Sequence, residues 1–238
     1  MSWNIFPSMP DGLASLRVFG SRFRGDADDC SDVDLLAVVD SNKTHSIAQK
    51  IETEIQATVG QKASVSWYSK KRIHELFTRG HLFAWHLHLQ SCSLVAHSED
   101  YVDSLGKPEP YGAAVEDIAS LSEILLTVPT ALIACPSNVI YEAGVLFVCL
   151  RNIAMCASWF SKHGVDFSRY SPLLLRDLDT ISFPLVQDEY ELLVASRLAS
   201  QRGTRPSPIE ADTVTWFCSR VRPWVDSVQS VVQRRTPR

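Results

Sequence analysis

The sequence predicts an α+β protein in which a small mixed β-sheet domain is followed by a helical bundle. Over the first hundred residues, short β-like runs alternate with helical ones, and after the Pro- and Gly-containing stretch Gly106–Tyr111 the pattern is helical. The length of 238 residues suits one large domain or two small ones. We therefore divide the chain into residues 1–105 and 106–238.

The first part supplies the strands of the predicted sheet and the helices that cover it. Apolar or alternating runs predict strands at Leu16–Phe19, Asp32–Asp40, Ala63–Tyr68 and Ser93–Ala96. Isoleucines at i, i+4 spacing predict an amphipathic helix over Thr44–Val59, and Gly60 follows as a stop signal. Two further runs in this part are helical in pattern: Lys70–Phe77 and Leu82–Leu89.

The second part supplies the bundle. Its predicted helices are Ala113–Leu126, Asn138–His163, Pro184–Ser200 and Ile209–Val232. The last segment, residues 201–238, holds seven arginines against three acids. A solvated basic tail is the first interpretation of this segment, and a phosphate contact is the alternative.

Composition excludes several classes of protein. With 45% hydrophobic and 21% charged residues the chain is globular rather than disordered, and a net charge of −4 excludes a globally basic nucleic-acid coat but not a local basic groove. The six cysteines form no CxxC pair, which favours reduced thiols. The N-terminus shows no signal-peptide pattern, and uninterrupted apolar runs such as Gly144–Leu150 are short. We expect a cytoplasmic protein without a membrane span.

The chemistry is concentrated in Val18–Asp40. A strand delivers Gly20 and Ser21 to a tight turn, where glycine allows close backbone approach to a ligand and the next helix would aim its N–H groups at an anion. Asp32 and Asp34 follow at the start of the next strand, and side chains at i and i+2 share a strand face. Paired carboxylates bind hard divalent cations, which hold a triphosphate. A phosphate cradle beside a metal platform indicates an enzyme that uses a nucleoside triphosphate.

The pattern G-S-x-x-x-G-x-x-x-x-x-S-D-x-D-L in this segment resembles the DNA polymerase β-like nucleotidyltransferase superfamily, in its bacterial minimal and aminoglycoside-type forms. The resemblance implies that Gly20 and Ser21 contact the phosphates of an NTP or dNTP, with Arg24 as a further phosphate contact. It implies that Asp32 and Asp34 are the catalytic metal ligands, for Mg²⁺ or Mn²⁺. A hydroxyl acceptor would attack the α-phosphorus, pyrophosphate would leave, and the helical part would shape the acceptor pocket.

One position departs from that family pattern. The superfamily usually places a third carboxylate on a later strand, and the alternation of Ala63–Tyr68 puts it at Ser64 or Ser66. Three explanations stay open: an acid comes from elsewhere, one metal suffices, or the enzyme is impaired. Candidates for an acid from elsewhere are Glu142 in the helical part and the loop acids Asp26, Asp28 and Asp29.

Two functions therefore compete. The first is template-free transfer of a nucleoside monophosphate to a protein, an RNA end, a nucleotide or oligonucleotide signal, or a small molecule, in a defence or toxin–antitoxin setting. The second is a catalytically impaired nucleotidyltransferase fold that serves as an antitoxin or complex scaffold. A homo-oligomer or a partner protein is compatible with either.

Three further patterns carry less weight. Helical spacing places His81 with His88 but turns His86 by more than a right angle from His88, which disfavours one shared metal. Tyr68-Ser69 and the basic residues that follow could border a nucleotide pocket or simply start a helix. Arg151 resembles the arginine of helical HEPN ribonucleases, but no histidine stands at the spacing of that motif.

Overall fold

The computed structural model describes residues 6–25, 32–39, 44–59, 63–96 and 99–236. The chain separates into two compact units, Met1–Tyr111 and Gly112–Arg238. The predicted linker Gly106–Tyr111 belongs to the first unit, where its backbone packs on helical residues. Glu109 N–H donates to the Phe77 carbonyl (3.0 Å), and Trp85 Nε1–H donates to the Glu109 carbonyl (2.9 Å).

The first unit is built on a four-stranded mixed sheet in the order β3-β2-β1-β4. The strands are β1 Leu13–Phe19, β2 Val33–Val39, β3 Ala63–Ser69 and β4 Ser91–Ser93. Strand β1 runs antiparallel to both β2 and β4, whereas β2 and β3 are parallel. The mixed sheet predicted from the sequence is therefore confirmed.

The helices of the first unit fill the connections of this sheet. They are α1 Gly20–Arg24, α2 Thr44–Val59, α3 Lys70–Thr78, α4 Leu82–Leu89 and α5 Tyr101–Ser104. Helix α2 has the predicted bounds, because isoleucines recur in its sequence at i, i+4 spacing and a parallel β2–β3 pair requires a crossover. Ser69 caps α3 by accepting a hydrogen bond from the Arg72 N–H (3.1 Å).

The two faces of the sheet bury separate cores. One core combines alternate residues of β1 and β2, including Leu35 and Ala37, with Ile55 of α2. The other core combines Leu36 and Val38 with apolar residues of α3, α4 and α5. Every residue between Leu35 and Val38 is fully buried, which explains why β2 is a continuous apolar run.

The second unit consists of packed helices. These are α6 Ala114–Ala134, α7 Val139–Ser158, α8 Ser171–Leu174, α9 Gln187–Arg202 and α10 Ala211–Arg235. Helix α7 packs on α6, α9 and α10, and Phe147 of α7 contacts the fully buried Tyr190 of α9. Helix α10 buries Phe217 and Trp224. An α+β architecture with a helical second half, as predicted, is confirmed.

Several predicted bounds differ from the structure. The edge strand predicted at Ser93–Ala96 lies at Ser91–Ser93, followed by a single bridge between Phe6 and Val95. Helix α6 continues past Pro129 to Ala134, because its buried stripe continues through Val128 and Leu132. Helix α7 ends at Ser158 rather than His163, since the Ser158 hydroxyl there accepts a hydrogen bond from the Asp166 N–H (2.9 Å) and anchors the following loop.

Two segments, Ala114–Ala134 and Pro136–Ser158, are long and apolar enough to cross a membrane by length and composition alone. Within the structure, 28% of the most apolar window is buried in the first segment and 56% in the second. Helical core segments of soluble proteins meet the same criterion. Uninterrupted apolar runs did not reveal these segments, because scattered polar residues such as Ser122 and Asn152 break them.

Candidate functional site at the end of strands β1 and β2

The turn after β1 brings a carboxylate against a glycine. Gly20 has φ +74°, in the left-handed region that favours glycine. A Cβ placed on Gly20 would collide with Asp34 Oδ2. Asp34 occupies this position because it pairs with Phe19, the residue before the glycine, across the antiparallel β1–β2 ladder. Asp34 and the Gly20 turn, which the sequence predicts to share a ligand, are therefore in direct proximity.

Asp32 and Asp34 stand at the start of β2 where both are partly exposed. Their neighbours Val33 and Leu35 are buried on the opposite face, in the core that contains α2. Asp32 immediately precedes the strand, so the two-residue spacing directs both carboxylates to one face. Carboxylate oxygens in this arrangement fit a hard divalent cation.

The short helix α1 carries the other two predicted contacts, Ser21 and Arg24. It is one turn long and ends at Gly25, whose N–H donates to the Ser21 carbonyl (2.9 Å). Arg24 Nη1–H donates to Gln90 Oε1 (3.3 Å) at the end of α4. The sequence predicted a helix starting at Ser21 and gave no length; a single turn carries a smaller dipole than a long helix.

The third position of the family pattern holds hydroxyls. In the parallel β2–β3 ladder, Asp34 pairs with Ser64 and Leu36 pairs with Ser66, which puts both serines on the face of Asp34. Ser64 is exposed and Ser66 is partly buried. Within the described ranges, no group of three or more His, Cys, Asp or Glu side chains could hold a metal ion. Asp26, Asp28 and Asp29 lie outside the described residues.

A buried ion pair, which sequence reasoning missed, supports β1 next to this site. Arg17 Nη1 lies 2.9 Å from Asp100 Oδ1 and 2.9 Å from Asp103 Oδ1. Arg17 Nε–H donates to Ser91 Oγ (2.9 Å), and Asp100 Oδ1 accepts from Ser15 Oγ (2.7 Å). The Nη1 contacts are ionic rather than well-directed hydrogen bonds. The one sequence signal was an arginine between Leu16 and Val18, in a run that is otherwise apolar.

Ring side chains adjoin the acid on the same face. The Phe19 ring makes edge contacts with Phe83 (5.7 Å between centroids) and His86 (5.6 Å), and Phe83 stacks on Tyr68 (5.6 Å, 28° between planes).

Nδ1 of His81 accepts the Phe83 N–H (3.1 Å) and so caps α4, while His88 contacts Trp85. His86 contacts Phe19 whereas His88 contacts Trp85, so these two histidines lie on different sides of α4, as their spacing predicts.

Arg151, which the sequence analysis singled out in the second unit, makes hydrogen bonds that stabilise the fold. Arg151 donates to the Phe167 carbonyl (2.9 Å) and to the Ser168 carbonyl (3.2 Å), so it ties α7 to the loop before α8.

Glu142 is buried on α7, and burial raises the pKa of its carboxyl. Burial also raises the pKa of the Cys149 thiol to about 11 and that of Cys218 to about 12. The five described cysteines form no disulfide with one another.

The geometry defines an α+β domain in which a glycine turn and a pair of strand carboxylates share one edge. Residues 3–82 match the family model of the nucleotidyltransferase domain. This match covers the whole Gly20–Asp34 segment and confirms the resemblance to polymerase β-like nucleotidyltransferases that the sequence predicts.

One solved structure among those that match is spectinomycin adenyltransferase AAD(9) from Enterococcus faecialis, with ATP and spectinomycin. The identity is 9%, the alignment covers 89% of this chain and 92% of that one, and the TM-score is 0.47. No curated protein matches the chain at a significant level.

Proposed function

We propose that this protein is a metal-dependent nucleotidyltransferase that moves a nucleoside monophosphate from an NTP or dNTP to an acceptor hydroxyl and releases pyrophosphate. The observation that carries the proposal is the contact distance between the Gly20 turn and the Asp34 carboxylate. The match of residues 3–82 to the nucleotidyltransferase domain supports it.

The residues have distinct proposed roles. Asp32 and Asp34 would hold Mg²⁺ or Mn²⁺, and such a cation neutralises charge on the triphosphate. Gly20 has no Cβ, so the Asp34 carboxylate lies against its turn, and a phosphate held by the same cation would lie close to that turn. Ser21 adds a hydroxyl donor. Arg24 adds a positive charge on the same turn. These groups position the triphosphate so that the acceptor oxygen attacks the α-phosphorus in line with the leaving pyrophosphate, and most of the rate enhancement comes from positioning and charge neutralisation.

Several classes of acceptor are compatible with this proposal: a protein, an RNA end, a nucleotide or oligonucleotide signal, and a small molecule. Selection of that acceptor by residues 106–238 stays a prediction, as do a defence or toxin–antitoxin setting and a cytoplasmic location. The neutral Ser64 beside Asp34 supports the second candidate, a nucleotidyltransferase fold that binds partners without turnover, as an antitoxin or scaffold.

One experiment separates the two candidates. The full chain is incubated with each α-labelled NTP or dNTP and Mg²⁺ or Mn²⁺, and label is followed into protein, RNA, oligonucleotide or small products. Asp32→Asn and Asp34→Asn serve as matched variants of unchanged shape. We expect metal-dependent pyrophosphate release that falls about a thousandfold in both variants, because loss of metal charge stabilisation costs several kcal/mol. Release that persists in both variants would remove the assignment.

Thermal unfolding gives the complementary measurement. A nucleotide that binds the folded chain stabilises it by RT ln(1 + [L]/Kd), so an enzyme shows a metal-dependent rise in Tm with its preferred nucleotide. A scaffold with a defunct pocket shows no such rise.

A further inference from the structure

Aromatic side chains continue from the candidate metal ligand across one face of the sheet. Phe19 stands directly opposite Asp34, and directly opposed residues of an antiparallel pair project from the same face. Tyr68 pairs with Val38, two alternate positions further along β2 than Asp34. Phe83 of α4 lies between the two rings, 5.7 Å from Phe19 and 5.6 Å from Tyr68. The three rings thus form a row that begins beside the acid.

The three ring-bearing residues are more exposed than the core residues that they cover. The aliphatic residues that they cover, among them Leu36 and Val38, are fully buried. Phe19, Phe83 and Tyr68 are each only partly buried at the border of that core. The three ring-bearing residues are therefore partly accessible, in contrast to the aliphatic residues that they cover.

We propose that Phe19, Phe83 and Tyr68 form the subsite for the nucleobase of the nucleoside triphosphate, an inference that rests on the proposed function. In such a triphosphate the base is joined through the sugar to the α-phosphorus, so a base platform must begin close to the metal ligands. Aromatic side chains bind bases by stacking, and every base offers a π-face. Phe83 and Tyr68 stack on each other, so the base would stack on the outer face of this pair, and Phe19, which pairs with Asp34, would lie nearest to the α-phosphate. Purines, with the larger face, are the preferred bases.

The test compares ligands with and without a base. The full chain and the variants Phe83→Leu and Tyr68→Leu are titrated with Mg²⁺–ATP and with Mg²⁺–tripolyphosphate, and Kd is measured for each. Leucine keeps an apolar side chain on the core but removes the ring. We expect Kd for ATP to rise about tenfold in each variant, which lies within the measured range for loss of a stacking ring, and Kd for tripolyphosphate to stay unchanged.

Phe77→Leu is the matched control. Phe77 belongs to the same apolar core but is buried on α3, so its loss should lower stability without a change in either Kd. Unchanged ATP affinity in the folded Phe83 and Tyr68 variants would overturn the inference. An equal loss for both ligands would also overturn it, because the rings would then only hold the site in shape. Wild-type protein that binds neither ligand would instead contradict the proposed function.

Discussion

The two units each bury a carboxyl group, and they surround it differently. Asp100, in the sheet unit, is 5% exposed, and its Oδ1 contacts the Arg17 guanidinium, the Ser15 hydroxyl and the Val102 N–H. Glu142, in the helical unit, is 8% exposed, and burial raises the pKa of its carboxyl. No ion pair to Glu142 occurs among the residues that the structure describes.

The difference shows what each acid does for its unit. A buried charge with an opposite charge and two donors is compensated, and it joins β1, β4 and α5 close to the turn that carries Gly20. A buried carboxyl without compensation favours its protonated form and opposes folding at neutral pH. Glu142 therefore has the property expected of a proton acceptor, and its role as a base from the helical half stays a prediction.

The largest expected effect comes from breaking the compensated pair. Arg17→Met leaves Asp100 buried without its cation, and we expect the free energy of unfolding to fall by about 3–5 kcal/mol. Denaturant unfolding measures the loss. The control is Arg222→Met in the helical unit, whose exposed pair with Asp226 spans 3.9 Å and should contribute about 0.5 kcal/mol or less. Similar losses in both variants would contradict the distinction between the two arginines.

The next effect separates backbone strain from the contact with Asp34. Gly20 and Gly25 both have positive φ, +74° and +81°, so alanine at either position costs about 1–3 kcal/mol. Only at Gly20 does the new Cβ meet the Asp34 carboxylate, since no atom lies within 4 Å at Gly25. We expect Gly20→Ala, in which the Asp34 carboxylate must shift, to lose nucleotide turnover, and Gly25→Ala, which has the backbone strain alone, to keep it. Equal turnover in the two folded variants would show that nucleotide turnover does not depend on the close approach of Gly20 and Asp34.

A smaller effect tests the neutral third position. Ser64→Asp adds a carboxylate beside Asp34 at an exposed site, and we expect the Mg²⁺ concentration for half-maximal activity to fall about tenfold. Ser66→Asp is the contrast, because Ser66 stands beside the fully buried Leu36 and a charge there should lower stability instead. An unchanged Mg²⁺ requirement in Ser64→Asp would mean that β3 does not border the metal.

The smallest effect concerns the uncompensated acid. Because the pKa of Glu142 is raised in the folded chain, folding opposes its ionisation, and stability falls as pH rises from the unfolded pKa of about 4.5 through the folded one. Glu142→Gln should therefore raise Tm at pH 7, and the gain should vanish below the unfolded pKa. A variant that is less stable than the wild type at neutral pH would indicate a partner for the carboxylate.

Local patterns in the sequence predicted much of the fold. The periodicity of Thr44–Val59 predicted α2 with its observed bounds, and the spacing from Gly20 to Asp34 predicted that the turn and the acid would meet. Both predictions depend on neighbouring residues, because helix and strand periods and a single hairpin-like pairing are short-range properties. The predicted helix Ala113–Leu126 ends eight residues before α6 does, because tertiary burial of Val128 and Leu132 continues the helix past Pro129.

The sequence by itself determined the order of the elements, the two acids at the start of β2 and the glycine that one of them requires. Only the tertiary structure decided that Arg17 meets Asp100, that Ser64 rather than Ser66 pairs with Asp34, and that three rings form one row, namely Phe19, Phe83 and Tyr68. The physical reason is distance along the chain. Strand register and helix packing bring together side chains that lie tens of residues apart, and no local period encodes which of them will touch.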